Sequence, residues 1–340
     1  MNHILYGIQA TGNGHISRSR ILSRALLKQG VKITYLFSGR DKSQLFDMEE
    51  FGEYLHRRGL TFISENGEVS YSKSLLSNNI ISYIKDVISL DLSLYDLVIT
   101  DFEPITAWAA KLRNKPCIGI GHQYAFGSAT PLAGDSFISR LILKNFAPAK
   151  KSIGLHWSDY NDNTLPPIID TQLRASKRKK HIIVYLPFED QQGVISLLNE
   201  IDEYEFIFYS PDYEEGEYTN VTVYKTNYIG FKRDLSAASG VICNSGFELV
   251  SECLHLGLPI LTKALGGQME QHSNALALRQ LSYASVVDEL SVAHINSWLS
   301  CTSNKLLKPW PDVALAISQL IVNDNWQHFS KIKADLWQQA

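Results

Sequence analysis

Two stretches of this sequence carry residue types that chemistry needs and packing does not. The first is "GIQATGNGHISRSR", residues 7–20, which sets Gly12 and Gly14 ahead of His15 where an apolar run gives way to a helical pattern. Glycine permits close backbone approach and positive φ, and a helix start offers free N–H groups to an anion. His15 is expected at the strand-to-helix turn, pointing at a cleft. There it is either a helix-capping or wall residue, or a general base, since imidazole titrates near neutral pH. Asp101 and Glu103 follow "LVIT" at another strand end. Asp101 either orients His15 through its far nitrogen or caps the helix beginning near Pro104. His122 and Gln123 follow "CIGIG" and are expected to line the same cleft, on the side of Glu103.

The second stretch is "NSGFELVSECLHLGLPILTKALGGQMEQHSNA", residues 244–275. Ser245 and Glu248 form S-x-x-E before an apolar run, the pattern of a capping box. Gly246 lets a ligand approach the helix start, whose dipole and free amides suit a phosphate. Glu252 lies one turn beyond Glu248 on the same face. It is either a solvated surface acid or the acceptor for two vicinal hydroxyls, such as those of a ribose. The loop "ALGGQ", with Gly266 and Gly267, reaches the same edge. Glu270, Gln271 and Asn274 stand near the start of the next helix, where they could read sugar hydroxyls.

These residues need a frame that brings loop ends together. Residues 1–157 alternate strand patterns ("HILYGI", "VKITYLFSG", "YDLVITD", "KPCIGIGH", "KSIGLHW") with helical ones. The composition then turns polar through a Pro-Pro pair and the basic run "KRKK", which marks residues 158–180 as a linker with a solvated surface. Residues 181–322 restart the alternation with "HIIVYLP", "YEFIFYS", "NVTVYK", "SGVICN", "LPILTK" and "YASVVD". Strands alternating with helices argue for parallel sheets. The expected fold is therefore α/β: two doubly wound, Rossmann-like domains facing a cleft. Ligands then bind beyond the carboxyl ends of the strands, where both motif stretches lie. Residues 323–340 predict a last helix with Trp326, Phe329, Ile332 and Leu336 on one stripe.

Bulk properties narrow the function classes. The chain has 340 residues and a net charge of −3, so no electrostatic case exists for nucleic acid. The cysteines (117, 243, 253, 301) form no pair with histidine support, which argues against a zinc site. Nor do they make a disulfide scaffold, which fits a reducing cytoplasm. The N-terminus lacks a signal peptide's basic region, and no apolar run nears the roughly 20 residues of a membrane span. A nicotinamide site is disfavoured: the third position of G-x-G-x-x-G is Ser17, and the second strand ends "FSGR" without an acid.

The segment from Phe231 to Leu278 resembles the donor-binding half of GT-B glycosyltransferases, and most nearly the MurG-like N-acetylglucosaminyltransferases. The matching pieces are Ser245–Glu252, "GLP" at 257–259 and "EQHSNALAL" at 270–278, with "GNGHISR" similar to the family's acceptor-side glycine loop. The resemblance implies an enzyme that moves a hexosyl or N-acetylhexosaminyl group from a nucleotide-sugar, UDP-linked by expectation, to a hydroxyl acceptor, with no cofactor. Glu252 would bind the ribose, Ser245 and Gly246 the diphosphate, Gln271 and Asn274 the sugar, and Phe231 would lie near the base. His15 matches an acceptor-side histidine that works with an aspartate in related transferases, here Asp101. The last helix would cross back onto the first domain. One departure is "YLPFEDQQG" at 185–193, where the family carries a Gly-Ser-rich loop; its two acids would oppose a diphosphate unless they face away.

The expected mechanism is inverting and metal-independent, with His15 as base. The alternatives are a UDP-sugar 2-epimerase, which needs no acceptor, and a non-catalytic sugar-nucleotide binder. The acceptor's class stays open among glycan, lipid-linked and small molecules. The segment "SFISRLILKNFAPAKK", with Arg140, Lys144, Lys150 and Lys151, is either a packed helix or a basic amphipathic face on the inner membrane surface.

Overall fold

A computed structural model describes residues 3–61, 63–65, 67–70, 74, 78–134, 137–301 and 306–340. Ser136, at the start of the basic amphipathic segment, lies outside the described residues. Two seven-stranded sheets carry the chain. The first runs in the order β3-β2-β1-β6-β7-β8-β9, with β1 His3–Gln9, β2 Lys32–Ser38, β3 Tyr54–His56, β6 Leu97–Asp101, β7 Cys117–Gly121, β8 Lys151–Leu155 and β9 Thr164–Leu165. The second runs β12-β13-β11-β10-β14-β15-β16, with β10 His181–Tyr185, β11 Glu205–Ser210, β12 Gly216–Tyr218, β13 Val221–Lys225, β14 Gly240–Asn244, β15 Ile260–Lys263 and β16 Ser285–Val287. Within these two sheets every pairing among the described residues is parallel except β12 with β13. This is the doubly wound pair of sheets expected, and its cause is visible in burial. Strands β6, β7 and β14 are buried at every position, as strands covered by helices on both faces must be.

The helices that bear on the site are α1 Asn13–Lys28, α2 Ile80–Ser89, α3 Pro104–Leu112, α4 Phe137–Asn145, α5 Gln191–Leu198, α6 Tyr228–Ala237, α7 Phe247–Leu256 and α8 Met269–Leu281. They are followed by α9 Val292–Ser300, α10 Val313–Val322 and α11 Phe329–Gln339. Gly7 in β1 exists for one of these contacts. A Cβ there would stand 2.0 Å from Thr106 Oγ1, so only glycine lets α3 lie this close to the strand.

Several short elements escaped the sequence. Strand β9 lies inside the span read as linker, yet it pairs with β8 and extends the first sheet. A separate hairpin, β4 Ile63–Glu65 with β5 Glu68–Ser70, flanks an Asn-Gly pair, the strongest short-range hairpin signal. The polypeptide also returns to the first sheet before residue 323. Leu22 and Leu26 of α1 share one buried cluster with Val313, Ile317 and Ile321 of α10, with Leu165 of β9, and with Ile168 and Ile169 just beyond it. Helix α11 completes the return: Leu336 is buried and Trp337 Nε1 donates to the Thr164 carbonyl at 2.9 Å. A helix with this much apolar surface gains more by covering the seam between two sheets than by extending one.

Because that cluster spans both sheets, calorimetric unfolding should show one transition, and two separated peaks would show the halves to be independent. Ile317→Ala, at a fully buried seam position, should lower stability by about 2–5 kcal/mol and shift that single transition as a whole.

Candidate active site

Register explains why His15 and Asp101 meet. Strands β1 and β6 are neighbours, with Ile8 opposite Asp101, so both chains leave the sheet at one edge. Gly12 turns the chain from an extended conformation into α1 without a side-chain cap. His15 then falls in the first turn, with Nδ1 2.7 Å from Asp101 Oδ1. Asp101 is fully buried and His15 is 13% exposed. Of the two expected roles for Asp101, orienting His15 is the one the geometry has. The capping role belongs to Glu103, whose carboxylate accepts from the Ile105 and Thr106 amides, from Thr106 Oγ1 and from Ser38 Oγ. Glu103 is therefore a buried cap and not part of the cleft wall. Burial pushes its carboxyl up, and those hydrogen bonds pull it back only in part. Between the two acids, Phe102 sits at φ 52°, a region that costs a non-glycine residue of order 1–3 kcal/mol. Its ring packs against Tyr124 and Phe146, which holds it there.

The residue that organises the site is Arg18, which sequence reasoning passed over. It stands one helical turn after His15, so the two share a face. Arg18 grips Asp101 with two donors, Nε to Oδ2 at 2.7 Å and Nη2 to Oδ1 at 2.5 Å. Nη2 also stands 2.8 Å from His15 Nδ1. Nη1 reaches across to α7 and donates to Glu248 Oε1 at 2.5 Å. Burial works to lower this guanidinium, but Asp101 and then Glu248 outweigh it and its pKa is raised. For Asp101, burial raises while Arg18 and His15 lower, and the net is a carboxyl below its ordinary range. Glu248 goes the other way. Its burial outweighs the single hydrogen bond from Arg18, and its pKa is pushed up to about 7.

Glu248 therefore departs from the expected capping box. Helix α7 is capped by Gly246 with no side-chain hydrogen bond, and Ser245 Oγ instead pairs with Thr262 Oγ1 at 3.0 Å. Ser245 is wholly buried, whereas Gly246 opens onto the cleft. Gly14 is needed opposite: a Cβ there would lie 2.9 Å from Glu248 Cγ.

The cleft beside His15 encloses about 1510 Å³, open to solvent, and is walled by Gly12, Gly14, Gln123, Gly246, Glu270 and Gln271 among others. A second space of about 670 Å³ adjoins it and contains Tyr228, Phe231, Lys232 and Glu252. The two share Asn13, Gly14, Tyr185, Glu248 and Leu249. Glu252 is buried and paired with Lys232 Nζ, so the solvated-surface alternative does not hold for it. Gln271 lines the cleft while its Oε1 accepts from the Leu265 amide at 2.9 Å.

Three expected ligand contacts are spent inside the protein. Asn274 is fully buried; its Nδ2 donates to the Ser245 carbonyl at 2.9 Å and its Oδ1 meets His122 Nε2 at 2.7 Å. His122 is likewise fully buried, stacked on Phe247 at 4.1 Å, with Nδ1 donating to the Leu155 carbonyl. These two residues strut the halves together, and Gln123 takes the place in the cleft, donating to Glu270 Oε2 at 2.8 Å. Gly266 donates its amide to the Gly67 carbonyl at 2.6 Å, docking the Gly-Gly loop on the β4–β5 hairpin, and Gly267 adopts φ 70°. In the departing loop, both acids are accounted for. Glu189 pairs with Lys263 at 2.7 Å and with Asn244, and Asp190 caps α5. Of that stretch, Tyr185, Pro187 and Phe188 line the cleft. Among the described residues, no group of three or more His, Cys, Asp or Glu side chains could hold a metal ion, and no helix is long and apolar enough to cross a membrane.

Two largely parallel sheets lie face to a cleft that holds His15 and the bare start of α7, and the C-terminal helix returns to the first sheet. The sequence profile of glycosyl transferase family 1 matches residues 2–302. This chain belongs to glycosyl transferase family 1 and is a glycosyltransferase of GT-B fold. Solved structures share that fold across nearly their whole length. MurG of Acinetobacter baumannii is 12% identical, with a TM-score of 0.56, covering 98% of this chain and 100% of its own. SsfS6 of Streptomyces sp. SF2575, complexed with thymidine diphosphate, is 16% identical with a TM-score of 0.56, covering 95% and 100%. LpCGTa, in complex with UDP, is 14% identical with a TM-score of 0.58, covering 99% of both chains. No curated protein sequence matches this one.

The raised pKa of Glu248 gives a signed prediction. A carboxyl with a folded pKa above its unfolded one contributes stability that is present at low pH and lost as pH rises from the ordinary glutamate range through about 7. Glu248→Gln should therefore gain melting temperature relative to the wild type between about pH 5 and 8. A difference that stays flat across that range would show that Glu248 does not titrate there.

Proposed function

We propose that this glycosyltransferase moves a sugar from a nucleoside-diphosphate donor to an acceptor hydroxyl, inverting the anomeric centre without a metal, with His15 as base. The observation that carries this reading is that two spaces adjoin. Phe231 and Glu252 line one, His15 and the uncapped start of α7 at Gly246 line the other, and the two share Gly14 and Glu248. That division fits base and ribose in the first space, and diphosphate, sugar and acceptor in the second. Phe231 offers a ring for the base and Glu252 a carboxylate for the ribose diol. SsfS6 is complexed with thymidine diphosphate and LpCGTa with UDP, which makes those two nucleotides the first to test.

In the reaction, the acceptor O–H gives its proton to His15 Nε2 while its oxygen attacks the anomeric carbon. The bond from that carbon to the diphosphate oxygen breaks, and its electron pair leaves with the nucleoside diphosphate. The charge so formed meets the amides and dipole at the start of α7, electrostatic stabilisation set in advance of the reaction. His15 then returns its proton to solvent. Asp101 holds the ring and offsets the imidazolium charge.

His15→Ala should lose roughly 10²–10⁴-fold in turnover while UDP or TDP still raises the melting temperature. Full turnover in that variant removes the base assignment. Glu252→Ala should instead weaken nucleotide binding, and an unchanged affinity removes the ribose role. Donor supplied alone separates the rivals. An epimer would show a 2-epimerase, and tight binding without turnover on any acceptor would show a binder.

A lipid-linked acceptor is favoured by one surface. Ile81 (82% exposed), Ile88, Leu94 and Leu112 are exposed apolar side chains on or beside α2 and α3, and Ile88 and Leu112 line one shallow space there. The exposed cations Lys85, Lys111 and Arg113 lie on the same two helices and their ends. Basic amphipathic surfaces of this kind bind anionic bilayers. In the expected basic segment Lys150 is engaged with Asn114 and Lys151 lies over Trp326, as Lys111 lies over Trp108 and Arg113 donates to the Val87 carbonyl on this surface. In flotation assays the protein should follow phosphatidylglycerol vesicles, and Ile81→Asp with Ile88→Asp should abolish this. Equal binding to neutral vesicles, or none to either, would remove the membrane contact.

A further inference from the structure

Residues 39–53, between β2 and β3, belong to the first half of the chain, yet one of their side chains faces the space assigned above to the base and ribose. Leu45, Met48 and Phe51 of this loop pack into the main buried cluster. Phe46 does not. Its ring is half-buried, joins no core cluster and has no ring partner among the described residues. It lines instead the space that holds Phe231 and Glu252. Phe231 comes from the second half and is held there edge-on by Tyr185 and Tyr209, at 5.6 and 5.0 Å. The first half adds Ile16, Ser17 and Arg20 to the same lining. The space is therefore walled by both halves, with one aromatic ring from each that could meet a flat ligand.

The residue after Phe46 is gripped from both sides. Arg20, 4% exposed, donates from Nη2 to the Asp47 carbonyl at 2.5 Å and pairs with Glu50 at 3.3 Å. Its guanidinium also lies over the rings of Phe51 and Tyr228, at 5.4 and 4.4 Å. The Asp47 carboxylate accepts from the Tyr228 amide at 2.6 Å. Tyr228 is the first residue of α6, where a free amide and the helix dipole favour an anion. Asp47 itself sits at φ 53°, a left-handed conformation that persists where the surroundings over-determine it. Here they do, from α1 on its carbonyl and from α6 on its side chain. We propose that Phe46 is a nucleotide-binding residue supplied by the first half, packing on the base of the donor, and that Arg20 and Asp47 are positioning residues that hold its loop against α6. Stacking on an aromatic ring tolerates any base, so Phe46 sets how tightly the nucleotide is held and not which base is chosen. The proposal rests on the donor placement of the previous subsection.

The test is calorimetric titration of the full chain with UDP and with TDP. Phe46→Ala should weaken both by a similar factor, roughly 5–150-fold, and Phe46→Tyr, which keeps the ring, should bind nearly as the wild type does. Because Phe46 joins no core cluster, the melting temperature of Phe46→Ala without nucleotide should stay near the wild-type value, which shows that the variant folds. Asp47→Ala should also weaken binding, and Phe46→Ala with Asp47→Ala should be no weaker than Phe46→Ala alone, since Asp47 acts through the ring. A merely structural Asp47 would lower the melting temperature and leave the affinity unchanged, which removes its positioning role. Glu252→Ala separates the two levels of failure. If Glu252→Ala weakens binding and Phe46→Ala does not, the donor placement stands and the role of Phe46 is overturned. If the wild type binds and neither variant differs from it, the nucleotide lies elsewhere, and the donor placement falls together with this proposal. Failure of the wild type to bind either nucleotide has the same meaning.

Discussion

The buried guanidinium of Arg18 is the interaction on which the site depends. A cation this deep needs anions, and it has two, one on each half of the molecule: Asp101 at the end of β6 and Glu248 at the start of α7. Removing one partner of a buried pair typically costs about 3–5 kcal/mol, because the other charge is left without compensation. That penalty holds the two sheets at one separation where the chemistry happens. It also explains why two acids in one small volume behave oppositely. Asp101 takes the larger share of Arg18 and is held ionised, while Glu248 receives one hydrogen bond and is pushed up to about 7.

Around that charge the halves meet through groups that look functional by type. His122, Asn274 and Gly266 all cross the seam, and each has its polar atoms committed to the protein. Their packing shapes the cleft without lining it. Among the residues left facing the space are Gly12, Gly14, His15, Gln123, Gly246, Glu270 and Gln271, with Phe231 and Glu252 on the adjoining one. The C-terminal helices close the opposite side of the seam with apolar surface. Polar struts near the ligand and apolar cover away from it divide the work, since a hydrated cleft offers little apolar area to bury.

Much was legible in the sequence, and for a common reason. Parallel strands buried on both faces read as continuous apolar runs, and ligands sit past their carboxyl ends. The eleven strand patterns quoted from the sequence, the two-sheet architecture and the clustering of His15, Asp101, Gly246 and Glu252 near the cleft all followed from local pattern. The short pieces did not. Strands β3, β9 and β12 have two or three residues each, too few for any periodicity, and their pairing comes from the neighbour they complete.

What the sequence by itself determined was which residue types stand at strand ends and helix starts, because those depend on neighbours within one turn. It could not determine which of two acids two residues apart, Asp101 and Glu103, caps a helix and which meets a histidine. Asp101 meets His15, and the cap falls to Glu103, because β1 lies beside β6 and delivers His15 and Arg18 to Asp101. Nor could it show that Glu248 faces another half of the chain, 230 positions from Arg18. Those choices are made by electrostatics across the seam, where a charge finds its partner through tertiary distance and not through spacing along the chain.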